Sequence, residues 1–321
     1  MTPQPTSRSG HQFEISFATH RVVVTEVGAG LRSYSVDGRD VVDGYEASEI
    51  SPSGRGQILA PWPNRLEGGA YDFGGRHHQL PLSEPEAHNA IHGLVRWAAW
   101  VVRAQRPDHV TLEHHLHPQP GYPFSLLLTV DYGLNGDGLT VRTTAENVGD
   151  DACPFGSGAH PYLRLGDTVD PLSLRVPAHT VVESDSRGLP KRSIDVHGTH
   201  YDFREARAIG DTILDHCFTD LDRDEDGMAR VELRSPDGDE GICLWVDRSY
   251  PYLMLFTGDP LPDVARRALA VEPMTCPPNA FRTDTAVITL AAGQSVSATW
   301  GIRRLTRRGG SGLELVEERH A

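Results

Sequence analysis

The stretch Asn135-Gly-Asp-Gly-Leu-Thr-Val-Arg-Thr-Thr-Ala-Glu146 joins a tight turn to an alternating pattern. From Leu139 to Glu146, apolar or small residues alternate with polar or charged ones. This period of two is typical of a half-buried β-strand. Asn135–Gly138 lies between two such runs and has the composition of a hairpin turn. The stretch therefore predicts a β-hairpin.

Similar alternation recurs along the chain, in His109–Leu116, Ile242–Asp247 and Val296–Ile302. Turn residues are plentiful, with 32 glycines and 23 prolines. The best helix candidate is Asp263–Ala270, which is about two turns long. Many short strands with almost no helix predict a large all-β sandwich or barrel.

Length and charge exclude several classes of protein. The 321 residues include 30 Lys+Arg and 44 Asp+Glu, a net charge of −14, which disfavours nucleic acid and anionic membranes as partners. No apolar run reaches the roughly 18 residues of a membrane span, and residues 1–12 lack the apolar core of a secretory signal. Without an internal repeat or linker, we expect one domain over residues 13–305, with tails at 1–12 and 306–321.

Four widely spaced cysteines form no C-x-x-C pair, so neither a zinc ribbon nor a redox motif is indicated. The simplest interpretation is four free thiols in a reducing cytoplasm, although spacing alone also allows one or two disulfides. The cysteines are Cys153, Cys217, Cys243 and Cys276.

Two polar clusters resemble metal sites. The segment Asp222–Gly227 begins like an EF-hand loop, but its twelfth position is Leu233 instead of glutamate, so we interpret it as an acidic surface turn. Calcium binding by a loop of another geometry is the alternative interpretation of this segment. Glu113–His117 carries three histidines, but His114 and His115 would point to opposite faces of a strand. We interpret them as structural or surface histidines and expect no metal site.

Five other segments combine polar side chains with turn residues. A single histidine near glycine is usually structural, and a carboxylate at a strand end is usually solvated, so each segment alone carries little weight. They are Pro61-Trp-Pro-Asn-Arg65, Asn89-Ala-Ile-His-Gly93, Gly156-Ser-Gly-Ala-His-Pro-Tyr162, Leu214-Asp-His-Cys-Phe218 and Val271-Glu-Pro-Met-Thr275.

In this order, the five segments resemble those of the aldose 1-epimerases, the galactose mutarotase family. The similarity extends from about Phe13 to Ile302, which is nearly the whole chain. It implies a very large antiparallel β-sandwich of two sheets, the galactose mutarotase-like supersandwich, with the sugar cleft on a concave face. Nucleotide-binding and esterase motifs are absent from the sequence.

The resemblance also implies residue roles. Glu272 matches the general base of the family, His160 its general acid and His92 its second histidine. The matched residues that hold sugar hydroxyls are Asn64, Arg65 and Asp215.

The aromatic residues Trp62 and Phe281 are candidates to stack on the apolar face of the sugar, with ordinary packing as an equal alternative.

The residue types suit anomerisation, which needs a base for the C1 hydroxyl and an acid for the ring oxygen. A glutamate is ionised at neutral pH, and a histidine titrates near a pKa of about 6.5. We therefore expect an isomerase that converts the α and β anomers of a free, neutral hexose such as glucose or galactose. No cofactor is required, and the chain is compatible with a monomer or a homodimer.

Three rival functions stay open. A hexose-6-phosphate 1-epimerase would need added cations, for which Arg76, Arg96 and Lys191 are candidates. A non-catalytic carbohydrate-binding domain has no need for both Glu272 and His160. A polysaccharide lyase fits an acidic chain poorly, because polyuronates need a basic groove.

Overall fold

Antiparallel strands make up most of the computed structural model, which describes residues 7–262, 264–307 and 313–315. The elements are, in chain order, β1 (Gln12–Phe17), β2 (His20–Thr25), β3 (Leu31–Val36), β4 (Arg39–Asp40), β5 (Ile58–Leu59), β6 (Arg65–Glu67), β7 (Ala70–Phe73), β8 (Arg76–Gln79), β9 (Asn89–Ile91), β10 (Val101–Arg106), β11 (His109–Leu116), β12 (Leu126–Asn135), β13 (Gly138–Asn147), β14 (Cys153–Phe155), β15 (Gly158–Ala159), β16 (Tyr162–Leu163), β17 (Ser173–Arg175), β18 (Ala178–Ser184), β19 (Pro190–Asp195), β20 (Arg207–Ala208), β21 (Asp215–Leu221), β22 (Ala229–Arg234), β23 (Glu240–Val246), β24 (Tyr252–Phe256), β25 (Leu269–Met274), α1 (Ala280–Thr283), β26 (Ile288–Leu290), β27 (Ser295–Arg307) and β28 (Leu313–Leu315).

Two large sheets organise these strands. One has the order β10-β11-β12-β13-β27-β23-β22-β17-β20, with β28 paired to β27. The other has the order β19-β18-β21-β24-β25-β15-β5, with β16 paired to β25. A smaller sheet holds β1 to β4, and the two-stranded ribbons are β6-β9, β7-β8 and β14-β26. The prediction of a large all-β fold built from antiparallel sheets is confirmed.

The hydrophobic core joins the two large sheets. One buried cluster contains Leu128 and Val141 from the first sheet and Phe218 and Leu253 from the second. Burial of apolar area on this scale is the main stabilising contribution to such a fold.

The predicted hairpin is confirmed. β12 and β13 pair from Leu126↔Asn147 to Asn135↔Gly138, and the inward positions of β13 are buried while those between them are half-buried or exposed. In contrast, β23 is buried at consecutive positions from Gly241 to Val246, and the Arg303 guanidinium lies over the Trp245 ring at 5.9 Å. The half-buried alternation predicted for Ile242–Asp247 is therefore wrong.

The predicted helix at Asp263–Ala270 is also wrong from residue 264 onward, and Asp263 itself lies outside the described residues. Residues 264–267 form turns, and β25 begins at Leu269. Arg266 has a φ of 56°, which lies outside the right-handed helical region. Its guanidinium pairs with Asp170 and Asp259. The α-helix of the described residues is α1, and none of their helices is long and apolar enough to cross a membrane.

The domain extends beyond the limits predicted from the sequence. Ser9 is buried and Gln12 begins β1, so the predicted N-terminal tail is too long. At the other end, β27 continues to Arg307 and pairs with β28, while residues 1–6, 308–312 and 316–321 of the predicted tails lie outside the described residues. All four cysteines are buried and unpaired, which confirms the prediction of free thiols.

Candidate active site

Strand register brings Glu272 and His160 together. Gly158 pairs with Met274 and Tyr162 pairs with Ala270, so the position between them sets His160 opposite Glu272. His160 Nε2 lies 3.3 Å from Glu272 Oε1, and both side chains are almost fully buried. His160 Nδ1 and Glu272 Oε2 have no hydrogen-bond partner among the described residues. Buried polar atoms without a partner need an explanation, and in a cleft a bound polar ligand is one.

Burial shifts the protonation of this pair. It raises the pKa of Glu272 well above the usual carboxyl range; the charge of Asp215 adds to this effect and that of Arg65 opposes it. Burial also lowers the pKa of His160 to about 3, and the charges of Arg55 and Arg96 act in the same direction. Both shifts favour the uncharged forms, as expected for titratable groups removed from water.

The pairing of β6 with β9 positions His92, which follows β9, beside Asn64, which precedes β6. The His92 backbone N–H donates to the Asn64 carbonyl at 2.9 Å, and the Asn64 N–H donates to His92 Nδ1 at 3.2 Å. Because Nδ1 accepts a hydrogen bond, the neutral ring carries its proton on Nε2. Burial keeps it neutral by lowering the pKa of His92 well below its usual value. The next residue, Gly93, must be glycine, since a Cβ there would lie 2.0 Å from the Ala60 carbonyl oxygen.

Arg65 is held by a carboxylate that the sequence did not single out. Its Nε lies 3.0 Å from Glu84 Oε2, and its Nη2 lies 3.1 Å from Glu84 Oε1. Burial lowers the pKa of Arg65, but the hydrogen bonds and charge of Glu84, followed by the charge of Asp215, raise it overall. This two-point contact fixes the guanidinium in one orientation.

Asp215 begins β21 opposite Phe256, and β24 in turn sets Met254 opposite Glu272. Burial raises the pKa of Asp215, while the charge of Arg65 opposes this.

These side chains share one cleft of about 430 Å³. That volume is within the range of about 300–1,000 Å³ typical of small-molecule sites. Six of the predicted site residues line it, namely Asn64, Arg65, His92, His160, Asp215 and Glu272. The wall also includes Arg96, which the sequence suggested for a phosphorylated sugar. Five more lining residues had no role assigned from the sequence, namely Ser53, Gly54, Glu84, Trp97 and Tyr162.

Trp62 and Phe281 do not line this cleft. Both are buried, and their rings pack together at 5.8 Å, with Tyr71 on the other side of Phe281 at 5.2 Å. Of the two alternatives given for Trp62 and Phe281, these contacts favour ordinary packing, since neither ring lines the cleft. The aromatic side chain at the cleft with the most exposure is Trp97, at 50%. Its position next to Arg96, at the end of the NAIHGLVR motif, is the one signal in the sequence that could have pointed to it.

The two metal-like clusters lie elsewhere. His114 Nδ1 contacts the Ala99 carbonyl and His115 Nε2 contacts Ser125, as expected for side chains on opposite faces. In the acidic turn, Asp224 accepts hydrogen bonds from the backbone of Asp226 and Met228. Both clusters therefore make local structural contacts.

The donor atoms of His92, His160 and Glu272 lie within 4.8 Å of one another, which is close enough to consider a metal ion. The donor chemistry does not fit one. Nδ1 of His92 accepts the Asn64 N–H, so its remaining nitrogen carries a proton and has no lone pair for a metal.

Comparison with known proteins supports a single family. The family model described as aldose 1-epimerase matches residues 11–303. The chain belongs to the aldose 1-epimerase family. One relative, the Escherichia coli K12 protein named uncharacterized protein YihR, is 33% identical over 288 residues, which cover 89% of this chain and 91% of that protein.

Solved structures share the fold of this aldose 1-epimerase family member. A GalM/aldose epimerase homologue from C. elegans superposes with a TM-score of 0.83 at 20% identity, covering 93% of this chain and 99% of that one. A putative aldose 1-epimerase from Escherichia coli K12 gives a TM-score of 0.81 at 20% identity, covering 92% and 99%. The galactose mutarotase-like fold expected from the motifs is thus confirmed.

Proposed function

We propose that the protein is an aldose 1-epimerase that interconverts the α and β anomers of a hexose. The observation that carries this proposal is the 3.3 Å contact between His160 and Glu272 in a buried cleft of sugar size. Family membership supports an isomerase, and a non-catalytic sugar-binding domain would have no use for a buried acid–base pair.

In the proposed mechanism Glu272 removes the proton of the C1 hydroxyl, and His160 donates a proton to the ring oxygen. The bond between C1 and the ring oxygen breaks, the open-chain aldehyde rotates about C1–C2, and the steps reverse on the other face. Each proton transfer requires a hydrogen-bond distance of about 3 Å between the group and its oxygen.

The pKa shifts of the pair fit these roles. Burial favours the form of the pair in which Glu272 keeps its proton and His160 is neutral. Transfer of this proton across the 3.3 Å contact yields a carboxylate and an imidazolium, which are the base and the acid. The pair thus becomes active without taking up a proton from solvent.

Three neighbours would orient the sugar. The Nε2–H of His92 can donate to the ring oxygen beside His160, since the two rings lie 5.3 Å apart. Asp215 can accept hydrogen bonds from hydroxyls, and Arg65, held by Glu84, can donate to them. Such orientation contributes to rate by limiting the bound sugar to productive geometries.

The test is the rate at which freshly dissolved α-D-glucose and α-D-galactose reach anomeric equilibrium, followed by polarimetry. We expect the protein to accelerate both over buffer alone. Absence of acceleration on every common aldose would overturn the proposal.

A second candidate substrate is a hexose with an anionic substituent away from C1. Arg96 lines the cleft, is half-buried and forms no ion pair with a carboxylate of the described residues; its guanidinium lies over the Trp97 ring at 5.4 Å. Burial lowers the pKa of Arg96, so a bound anion would offset an unfavourable desolvation. The other two cations suggested by the sequence, Arg76 and Lys191, are exposed and do not line the cleft. Anomeric NMR exchange on free hexoses and hexose 6-phosphates distinguishes the two substrates.

A further inference from the structure

A buried ion pair lies behind the cleft wall. Arg55 Nη2 is 3.0 Å from Asp43 Oδ2, and the two side chains are 3% and 1% exposed. Neither residue lines the cleft. Removing two charges from water is unfavourable, so a pair at this depth is weak evidence for a stabilising role.

Arg55 contacts the catalytic cleft through one ring. Its guanidinium carbon lies 4.4 Å from the centre of the Tyr162 ring, in cation–π geometry. The Tyr162 ring stacks on the His160 imidazole with centres 4.9 Å apart and planes 7° from parallel. The hydroxyl of Tyr162 donates to the Ser53 carbonyl at 3.0 Å, which fixes the far end of the ring.

The backbone reinforces this stack. The Gly56 N–H donates to the His160 carbonyl at 2.9 Å, and the His160 N–H donates to the Gln57 carbonyl at 3.2 Å. The Asp43 N–H donates to the Tyr162 carbonyl at 2.8 Å. The segments that carry the ion pair therefore also hold the backbone on either side of the imidazole.

We propose that Arg55, held by Asp43, is a positioning residue for His160, because it clamps the Tyr162 ring that sets the plane of the imidazole. This inference rests on the proposed role of His160. The fixed positive charge of Arg55 also disfavours the imidazolium form of His160. The other groups that face His160 are Glu272, His92, Tyr162 and Arg96.

Asp43 offers a matched control. Arg267 also pairs with it, with Nη2 2.9 Å from Oδ2, but the Arg267 side chain is 34% exposed. Asp43 and both arginines line a neighbouring cavity. Removal of either arginine takes one cation from Asp43, whereas only Arg55 contacts the Tyr162 ring. If Asp43 and its two arginines had a purely structural role, removal of Arg55 and removal of Arg267 should change kcat to a similar extent.

The experiment compares Arg55→Met, Arg55→Lys and Arg267→Met by kcat, KM and the NMR titration of the His160 imidazole, assigned through His160→Asn. We expect Arg55→Met to lower kcat about 10-fold or more with little change in KM, as for a misplaced catalytic group. The pKa of His160 should rise, because a nearby positive charge has been removed. Arg55→Lys keeps the positive charge but not the planar guanidinium. It should therefore return the pKa of His160 closer to its wild-type value than it returns kcat. Arg267→Met should stay within about twofold of wild type, as for surface substitutions.

A folded Arg55→Met variant with wild-type kcat and an unchanged His160 titration would overturn the inference. If Arg55→Met does not fold, Tyr162→Leu removes the stacked ring directly, and an unchanged His160 signal in that variant would overturn the inference as well. The NMR readout needs no turnover, so it separates failure of this inference from failure of the proposed epimerase activity.

Discussion

Gly54 leaves no room for a side chain beside His160. A Cβ at Gly54 would lie 2.8 Å from Cδ2 of the imidazole, and Gly54 has a φ of +76°. The turn Pro52–Gly54 thus packs directly against the proposed acid.

We expect Gly54→Ala to lower kcat about 10-fold or more, because the methyl group would displace the imidazole from its position. Gly38→Ala is the matched control, since Gly38 has a φ of +73° and nothing lies within 4 Å of an added Cβ. Both variants share a backbone strain of about 1–2 kcal/mol, visible in thermal unfolding. Equal activity of the two variants would contradict the contact.

Glu272→Gln and His160→Asn should each lower kcat about 100-fold or more, the usual scale for a general acid or base. His114→Asn is a suitable control, because His114 is a half-buried histidine on β11 that does not line the cleft. Polarimetry and circular dichroism on the same preparations separate loss of chemistry from loss of fold. Near-normal turnover in either site variant would refute its assigned role.

The pH profile of kcat/KM should be broad. The pair is active when Glu272 and His160 share one proton. It loses activity when a second proton binds to His160, and burial lowers the pKa of that imidazole to about 3. The acid limb should therefore lie well below the ordinary histidine pKa of about 6.5. The last proton leaves from Glu272, whose pKa burial raises, so activity is lost only as the pH climbs well above the carboxyl range. An acid limb centred near the ordinary histidine value would contradict this.

If the cleft accepts an anionic hexose, Arg96→Gln should reduce kcat/KM about 10-fold more for glucose 6-phosphate than for glucose. The reason is that a hydrogen bond to a charged group contributes about 1.5–3 kcal/mol. Arg76→Gln is the control, because Arg76 is exposed and outside the cleft. An equal effect on both sugars would exclude a role for Arg96 in reading charge.

Incubation with EDTA should leave the anomerisation rate unchanged, because His92 has no free lone pair to offer a metal ion in the cleft. Polarimetry before and after chelation measures this. A loss of activity that a divalent cation restores would show that the acidic turn or the histidine-rich strand needs a metal.

The sequence predicted the class of fold well, because alternation along β12 and β13 directly reflects which side chains face the core. It failed at 264–270, where Arg266 adopts a left-handed conformation and pairs with Asp259 and with Asp170, which is far away in the chain. Propensity within a short window contains no information about such partners.

The candidate site was predictable only through the order of its motifs. Periodicity alone could not have paired His160 with Glu272, which meet through register between strands far apart in the chain. Glu84 was missed because it lies in a polar loop like many other carboxylates. The sequence left the role of Trp62 open between sugar stacking and packing, because the proline-rich motif does not reveal on which side of the chain the indole lies.

The alignment of His160 with Glu272 has a consequence for folding. Because side chains alternate along a strand, a slip of β25 by one residue against β15 and β16 would replace Glu272 in the cleft with Val271 or Pro273. A molecule with this strand in the wrong register would therefore have no activity. The turnover recovered after dilution from denaturant then measures the fraction of molecules in which β25 has its native register.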